Sequence, residues 1–279
     1  MPDAVGRYFS PNGDRVPLAL LDEGKVRDVL GLERAPGVAY EGYPIGKPIG
    51  SMTFDYLDAS APEFTRFSLQ QIYFPPITNI LPEDGVDGAP VWFGVDKKAL
   101  TARWRSWLTV LAMTEDGNEG VFGTPPPSGN FLRVAASAGL GQLSFQTTPE
   151  TQRGWDAADG AVKGVVEKDG LARHLLWKGT SNVQSAHPLA SCRMGDDPAT
   201  SALDDRHELR GHPGIFVTDG SAVPTSLCVN PSLTIAALAE RASSLLLRRA
   251  GEFGLPVRPQ APPPGTTDAM RRRRCLHPA

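Results

Sequence analysis

At 279 residues the chain is long enough to bury a substantial core in one or two domains. A formal net charge of −3 argues against nucleic acid as the main partner. No apolar run reaches transmembrane length, and residues 1–15 lack the apolar core of a signal peptide.

Residues 1–60 are rich in Gly, Pro and Asp, with strand-like runs at 15–21 and 51–56, and read as strands and loops at a boundary between two halves. Residues 61–184 hold alternating apolar runs at 67–74 and 107–113, suited to a half-buried antiparallel sheet. The run TEDGNEG after Met113 predicts a hairpin turn. Residues 151–176 predict a helix with Trp155, Ala158, Val162, Val165 and Val166 as its apolar positions. Residues 185–250 carry the most specific motifs. A disordered tail is expected over 251–279, because its Pro-rich stretch and Arg271–Arg274 cannot offset the entropy of ordering.

Three features of the 185–250 segment bear chemistry. The first is His187, in the run HPLASCRMG. Imidazole has an unperturbed pKa of about 6.5 and is the side chain best matched to accepting a proton at neutral pH. The second is FVTDGS, which predicts a buried strand entering a tight turn at Asp219-Gly220, where glycine permits close approach of a ligand. The third is Asn230-Pro231, which opens the apolar run from Ser232 and Leu233 onward. Asparagine is a favoured helix N-cap and proline a favoured first helical residue. His174, His207, His212 and His277 have no such context and read as surface residues. Cys192, Cys228 and Cys275 form neither a disulfide framework nor, with His187, a metal-ligand spacing. No metal is therefore expected, and a reduced, cytoplasmic setting is. There is no GxSxG elbow for hydrolase chemistry.

HPxxxCRMG, DGS and Asn-Pro before a helix, in that order, resemble the C-terminal region of the glucose-methanol-choline (GMC) oxidoreductases. VGRYFSPNGD at 5–14 is similar to a segment of the family's cholesterol oxidase branch. The resemblance implies an α+β fold: a substrate-binding antiparallel sheet with helices, joined to the last strands and helix of an FAD-binding domain. It implies FAD as cofactor and oxidation of an alcohol by hydride transfer to the flavin. His187 would be the base or the hydrogen-bond partner of the substrate oxygen, and Asn230 would orient that oxygen. Asp219 and Gly220 would touch the ribityl-pyrophosphate region of FAD. The helix starting at Pro231, Ser232 and Leu233 would place its positive end near the reduced flavin.

The chain departs from the family pattern in three places. The family's GxGxxG strand-turn-helix for the FAD pyrophosphate has no counterpart, since Gly139-Leu140-Gly141 lacks the third glycine. Met1 is therefore expected to lie well inside the family's usual chain, and full FAD binding to need a separate N-terminal FAD-binding polypeptide. The alternative reading is a non-catalytic truncated fragment, or a partner-binding subunit of a split enzyme. The family usually has Gly-Gly or Gly-Thr where this chain has Ala190-Ser191. Gln71 falls where cholesterol oxidases carry the glutamate of steroid isomerisation, which assigns it to substrate binding. Glutamine cannot shuttle a proton at neutral pH, so a sterol-like alcohol would be oxidised without isomerisation.

Overall fold

The computed structural model describes residues 1–22, 49–72, 107–123, 142–145, 147–168, 170–175 and 185–256, with short pieces at 25, 83–84, 90–91, 94–95 and 98. Residues 257–279, with Arg271–Arg274 of the predicted tail, lie outside the described residues, as do Gly139-Leu140-Gly141 and His277.

Five strands form one antiparallel sheet: β1 (Leu18–Leu21), β2 (Ile49–Thr53), β3 (Phe67–Ile72), β6 (Trp107–Thr114) and β9 (Ala172–Leu175), in the order β2-β3-β6-β1-β9. Two short ribbons pair β4 (Glu83–Asp84) with β5 (Pro90–Val91), and β7 (Val121–Gly123) with β8 (Gln142–Ser144). The first 60 residues thus supply β1 and β2 to the same sheet as β3 and β6.

The sheet's two faces differ in use, because side chains alternate along a strand. Phe67 and Leu69 of β3, Val110 and Ala112 of β6 and Ala19 of β1 face helix α1 (Pro149–Glu167), which meets them with Ala158, Val162 and Val166. That helix starts as its sequence dictates: Thr148 accepts from the Thr151 N–H, Pro149 sits in the first turn and Glu150 favours the positive end. It stops at Glu167, shorter than the predicted 151–176. Gly170 turns the chain at φ +66, and β9 takes the remainder. Val165, expected on the apolar face, is 60% exposed.

The opposite face carries Ser68 and Gln70 of β3, and both reach the loop before the last helix. The Ser68 hydroxyl donates to the Cys228 carbonyl, and Gln70 accepts from Asn230.

The predicted hairpin at TEDGNEG does not form: β6 pairs with β3 and β1, while β7 pairs with β8. The cause is the Asp116 carboxylate. It accepts from the Ser10 hydroxyl (2.6 Å), the Gly13 N–H (2.8 Å) and the Asn118 N–H (2.9 Å), which draws the loop onto residues 8–14. Asn118, at φ +56, completes the turn and donates to the Tyr8 carbonyl.

The last helix, α2 (Ser232–Arg248), buries only Ala242 within its span. Ile235 and Leu238 pack on Leu189, Ala190 and Val223, while Leu233 is 86% exposed. No helix among the described residues is long and apolar enough to cross a membrane.

Candidate active site

Residues 8–14 tie three distant loops together. Ser10 and Leu189 exchange both backbone hydrogen bonds, at 3.0 and 2.9 Å, which fixes the HPxxxC loop. Asn12, in the left-handed region at φ +58, accepts from the Leu227 N–H at 2.7 Å and donates to the Val229 carbonyl at 3.0 Å, which fixes the loop before α2. Asp116 fixes the third loop, as described above.

His187 and Asn230 are brought together by this hub. The His187 Nδ1 lies 2.9 Å from each Asp14 carboxylate oxygen. Asp14 also accepts from the Ala186 N–H (3.0 Å) and the Ser185 hydroxyl (3.1 Å), so its orientation is fixed independently of the ring. Burial alone would push the His187 pKa down. The Asp14 carboxylate overcomes this through its hydrogen bond and charge, a hydrogen bond to Asn230 adds to it, and the pKa stands above its ordinary value. Burial likewise raises the Asp14 carboxyl, held back by His187 and by the two donors of residues 185–186. With Nδ1 committed to Asp14, Nε2 is the nitrogen left for chemistry.

Asn230 is not the helix cap that its sequence position predicts. The cap position belongs to Pro231, with no side-chain hydrogen bond, and the Asn230 amide instead donates to Gln70 Oε1 at 2.7 Å. The Asn230 side chain is thereby held beside His187, and the N–H groups of the first turn of α2, at Ser232 and Leu233, carry no side-chain cap.

The DGS segment is a turn, but no buried strand leads into it. Phe216 and Val217 are half-buried, Thr218 is exposed, and the only ladder contact in the run is a bridge from Phe216 to Glu208. Asp219 caps a short 3-10 turn (Gly220–Ala222), accepting from the Ser221 N–H and hydroxyl. Gly220 does meet a close neighbour, but that neighbour is protein. A Cβ there would lie 2.8 Å from the Pro188 carbonyl oxygen, so this glycine lets the DGS turn seat the histidine loop.

Ala190 occupies a backbone position that favours glycine. It is buried at φ +67, in the left-handed region, where a Cβ costs about 1–2 kcal/mol. Ala190→Gly should raise stability by up to ~1 kcal/mol, net of glycine's greater unfolded-state entropy. Denaturant titration checks this, and a loss of stability would contradict it.

Two residues at the site escaped the sequence reading. Asp14 ends the quoted SPNGD run, yet nothing local links it to His187, 173 positions away. Gln70, not Gln71, faces Asn230. Gln71 shares the face of Phe67 and Leu69, which points away from Asn230. His207 is corrected as well: it is fully buried, at φ +63, and neither ring nitrogen has a hydrogen-bond partner among the described residues. Burial, with Arg241 adding to it, lowers its pKa and keeps the ring neutral. His212 is half-buried, and the His174 side chain lies outside the described residues. Burial pushes the Cys228 thiol up to about 12, which makes it a poor nucleophile or metal ligand.

Asp116 borders a cavity of about 470 Å³ that also meets Phe64, Arg66, Ser226 and Cys228. Burial raises its carboxyl to about 6, against the pull of its three donors. A folded pKa above the unfolded value of 3.8 means that stability is fully present at low pH and is lost as pH rises from about 4 to 6. Asp116→Asn should remove this slope, worth about 2–3 kcal/mol. Urea titrations of both proteins at several pH values test it, and parallel pH profiles would contradict it.

Residues 133–239 match the family model described as GMC oxidoreductase. A cholesterol oxidase of Mycobacterium tuberculosis is 45% identical over 78 residues, covering 28% of this chain and 13% of that protein. A long-chain-alcohol oxidase of Arabidopsis thaliana is 43% identical over 63 residues, or 23% of this chain and 8% of that one. The chain spans less than half the length of the solved structures it resembles. Pyridoxine 4-oxidase from Mesorbium loti aligns at TM-score 0.50 and 16% identity, over 87% of this chain and 43% of that one. Formate oxidase aligns at TM-score 0.51 and 13% identity, over 90% and 48%. These likenesses bear out the α+β fold, and residues 133–239 are similar to the C-terminal domain of the GMC oxidoreductases.

Proposed function

We propose that the chain forms the substrate side and part of the cofactor side of an FAD-dependent oxidoreductase acting on an alcohol CH–OH group. The observation that carries this reading is the row Asp14–His187–Asn230, held by hydrogen bonds from three separate loops. Asp14 holds Nδ1 and so presents Nε2 as the acceptor of the hydroxyl proton. Asn230 keeps one amide N–H for the substrate oxygen, since Gln70 takes only the other.

The residues present fit a flavin. The first turn of α2 has no side-chain cap and suits an electron-rich ring, and Asp219, Gly220 and the 230–233 segment would lie along the cofactor. FAD, when bound, supplies the hydride acceptor. Residues 61–184, with β1 and β2, would cover the substrate, and residues 185–250 would face the cofactor. The substrate class extends to sterol-like alcohols, by analogy with the cholesterol oxidase relative.

A second reading has its own observation. Leu233 at 86% exposure and Leu247 at 49% leave α2 without cover on one side, as expected if an FAD-binding half, in the same or a separate polypeptide, packs there. The chain by itself should therefore self-associate, and Leu233→Asp should reduce this. A monodisperse monomer in light scattering would contradict the expectation.

Gel filtration after mixing with FAD tests the functional reading, with and without an FAD-binding half co-expressed. Flavin bands co-eluting with the chain support it. No retained flavin in either case leaves the non-catalytic partner-binding subunit.

A further inference from the structure

We propose that Gln70 is a positioning residue for the His187–Asn230 pair: its Oε1 fixes the Asn230 amide so that the Asn230 carbonyl faces His187 and one N–H is left for the substrate oxygen. The inference rests on the roles proposed above for His187 and Asn230.

A primary amide can sit in either of two orientations at nearly equal steric cost, so an external contact must choose between them. Asn230 lacks the choice that a cap position would make, because its side chain does not reach the α2 N–H groups. The contact that remains is Asn230 Nδ2 to Gln70 Oε1 at 2.7 Å. Gln70 itself is rigidly placed. It lies mid-strand in β3, paired with Leu111 of β6 and Met52 of β2, and is 1% exposed.

The other end of the Gln70 amide makes the case. Its Nε2 is buried and has no hydrogen-bond partner among the described residues. An unpaired buried N–H is costly, whereas an apolar side chain of the same shape would be nearly neutral. The fold therefore gains little from a glutamine here. What it provides is an acceptor for Asn230, aimed from the sheet at the loop before α2. The support that Asn230 gives to the charged His187 ring fits this orientation, since a protonated ring N–H can donate only to the carbonyl end of Asn230. Asp14 is the charged group in contact with the ring, and the test leaves it unchanged.

The experiment is a pH titration of the histidine ring nitrogens by NMR in the full chain, where five histidines must be resolved. Gln70→Met keeps the volume and removes the acceptor. The His187 midpoint should move down by about 0.5 pH unit as Asn230 loses its orientation. Gln70→Glu keeps the acceptor and adds charge, and should move the midpoint up. An unchanged His187 midpoint in Gln70→Met overturns the proposal. If that variant does not fold, a midpoint in Gln70→Glu at or below the wild-type value overturns it. Neither reading needs flavin or turnover. A chain that shows both shifts but oxidises no alcohol loses the functional reading and keeps the Gln70–Asn230–His187 coupling.

Discussion

His187→Ala is expected to lower the rate of flavin reduction by a primary or secondary alcohol by about 10²–10⁴-fold, the range for loss of a positioned general base. The variant keeps the fold, because His187 is half-buried and its loop is held by other contacts. The Ser10–Leu189 backbone pair and the Gly220 approach to Pro188 do not involve the ring. Flavin retention should therefore match wild type while reduction is slowed. The pH profile carries a second sign. A raised His187 pKa means that the neutral, proton-accepting ring appears only above its ordinary titration range, so the rate should climb with pH through that point. In His187→Ala the climb should vanish. A variant that reduces flavin at the wild-type rate would remove His187 from the chemistry.

Asp14→Ala should produce the largest loss of stability, about 3 kcal/mol, the lower end for removing one member of a buried charge pair. The mechanism is specific. Without the carboxylate, the Ala186 N–H and the His187 Nδ1 lose their partner in a region where water cannot fully replace it, while the Ser185 hydroxyl keeps only the Pro11 carbonyl as its acceptor. The sign of the pH dependence follows from the raised His187 pKa. The stability contributed by the pair is fully present below the ordinary histidine value and is lost as pH rises through the higher folded value. The wild-type advantage over Asp14→Ala should thus shrink towards alkaline pH. Thermal unfolding across pH 5 to 9 would show it, and a constant gap would contradict it. Activity should fall as well, through the tautomer, because Asp14 keeps the proton on Nδ1.

Local pattern made much of this molecule legible. Alternation placed β3 and β6, helical spacing placed Ala158, Val162 and Val166 on the sheet, and the motif order singled out His187 and Asn230. What escaped was set by contacts between distant residues. TEDGNEG has every local mark of a hairpin, yet the Asp116 carboxylate finds stronger donors at Ser10 and Gly13, more than a hundred positions away. Asn230 has the mark of a cap, and a strand 160 positions earlier claims its amide. The Gln70–Gln71 pair shows how much rides on register, because one step along a strand exchanges the faces of the sheet. His207 looked like a surface residue because nothing in its own sequence reveals the apolar cluster of Ala4, Leu203 and Leu209 that closes around its segment.

The most direct test of the central claim is anaerobic mixing of alcohol with the flavin-loaded chain, assembled with an FAD-binding half, while the visible flavin bands are followed in wild type and His187→Ala. Rapid bleaching is expected in wild type and bleaching at least about 100-fold slower in the variant, with equal flavin content. Equal rates in the two proteins, or flavin that no alcohol bleaches, would contradict it.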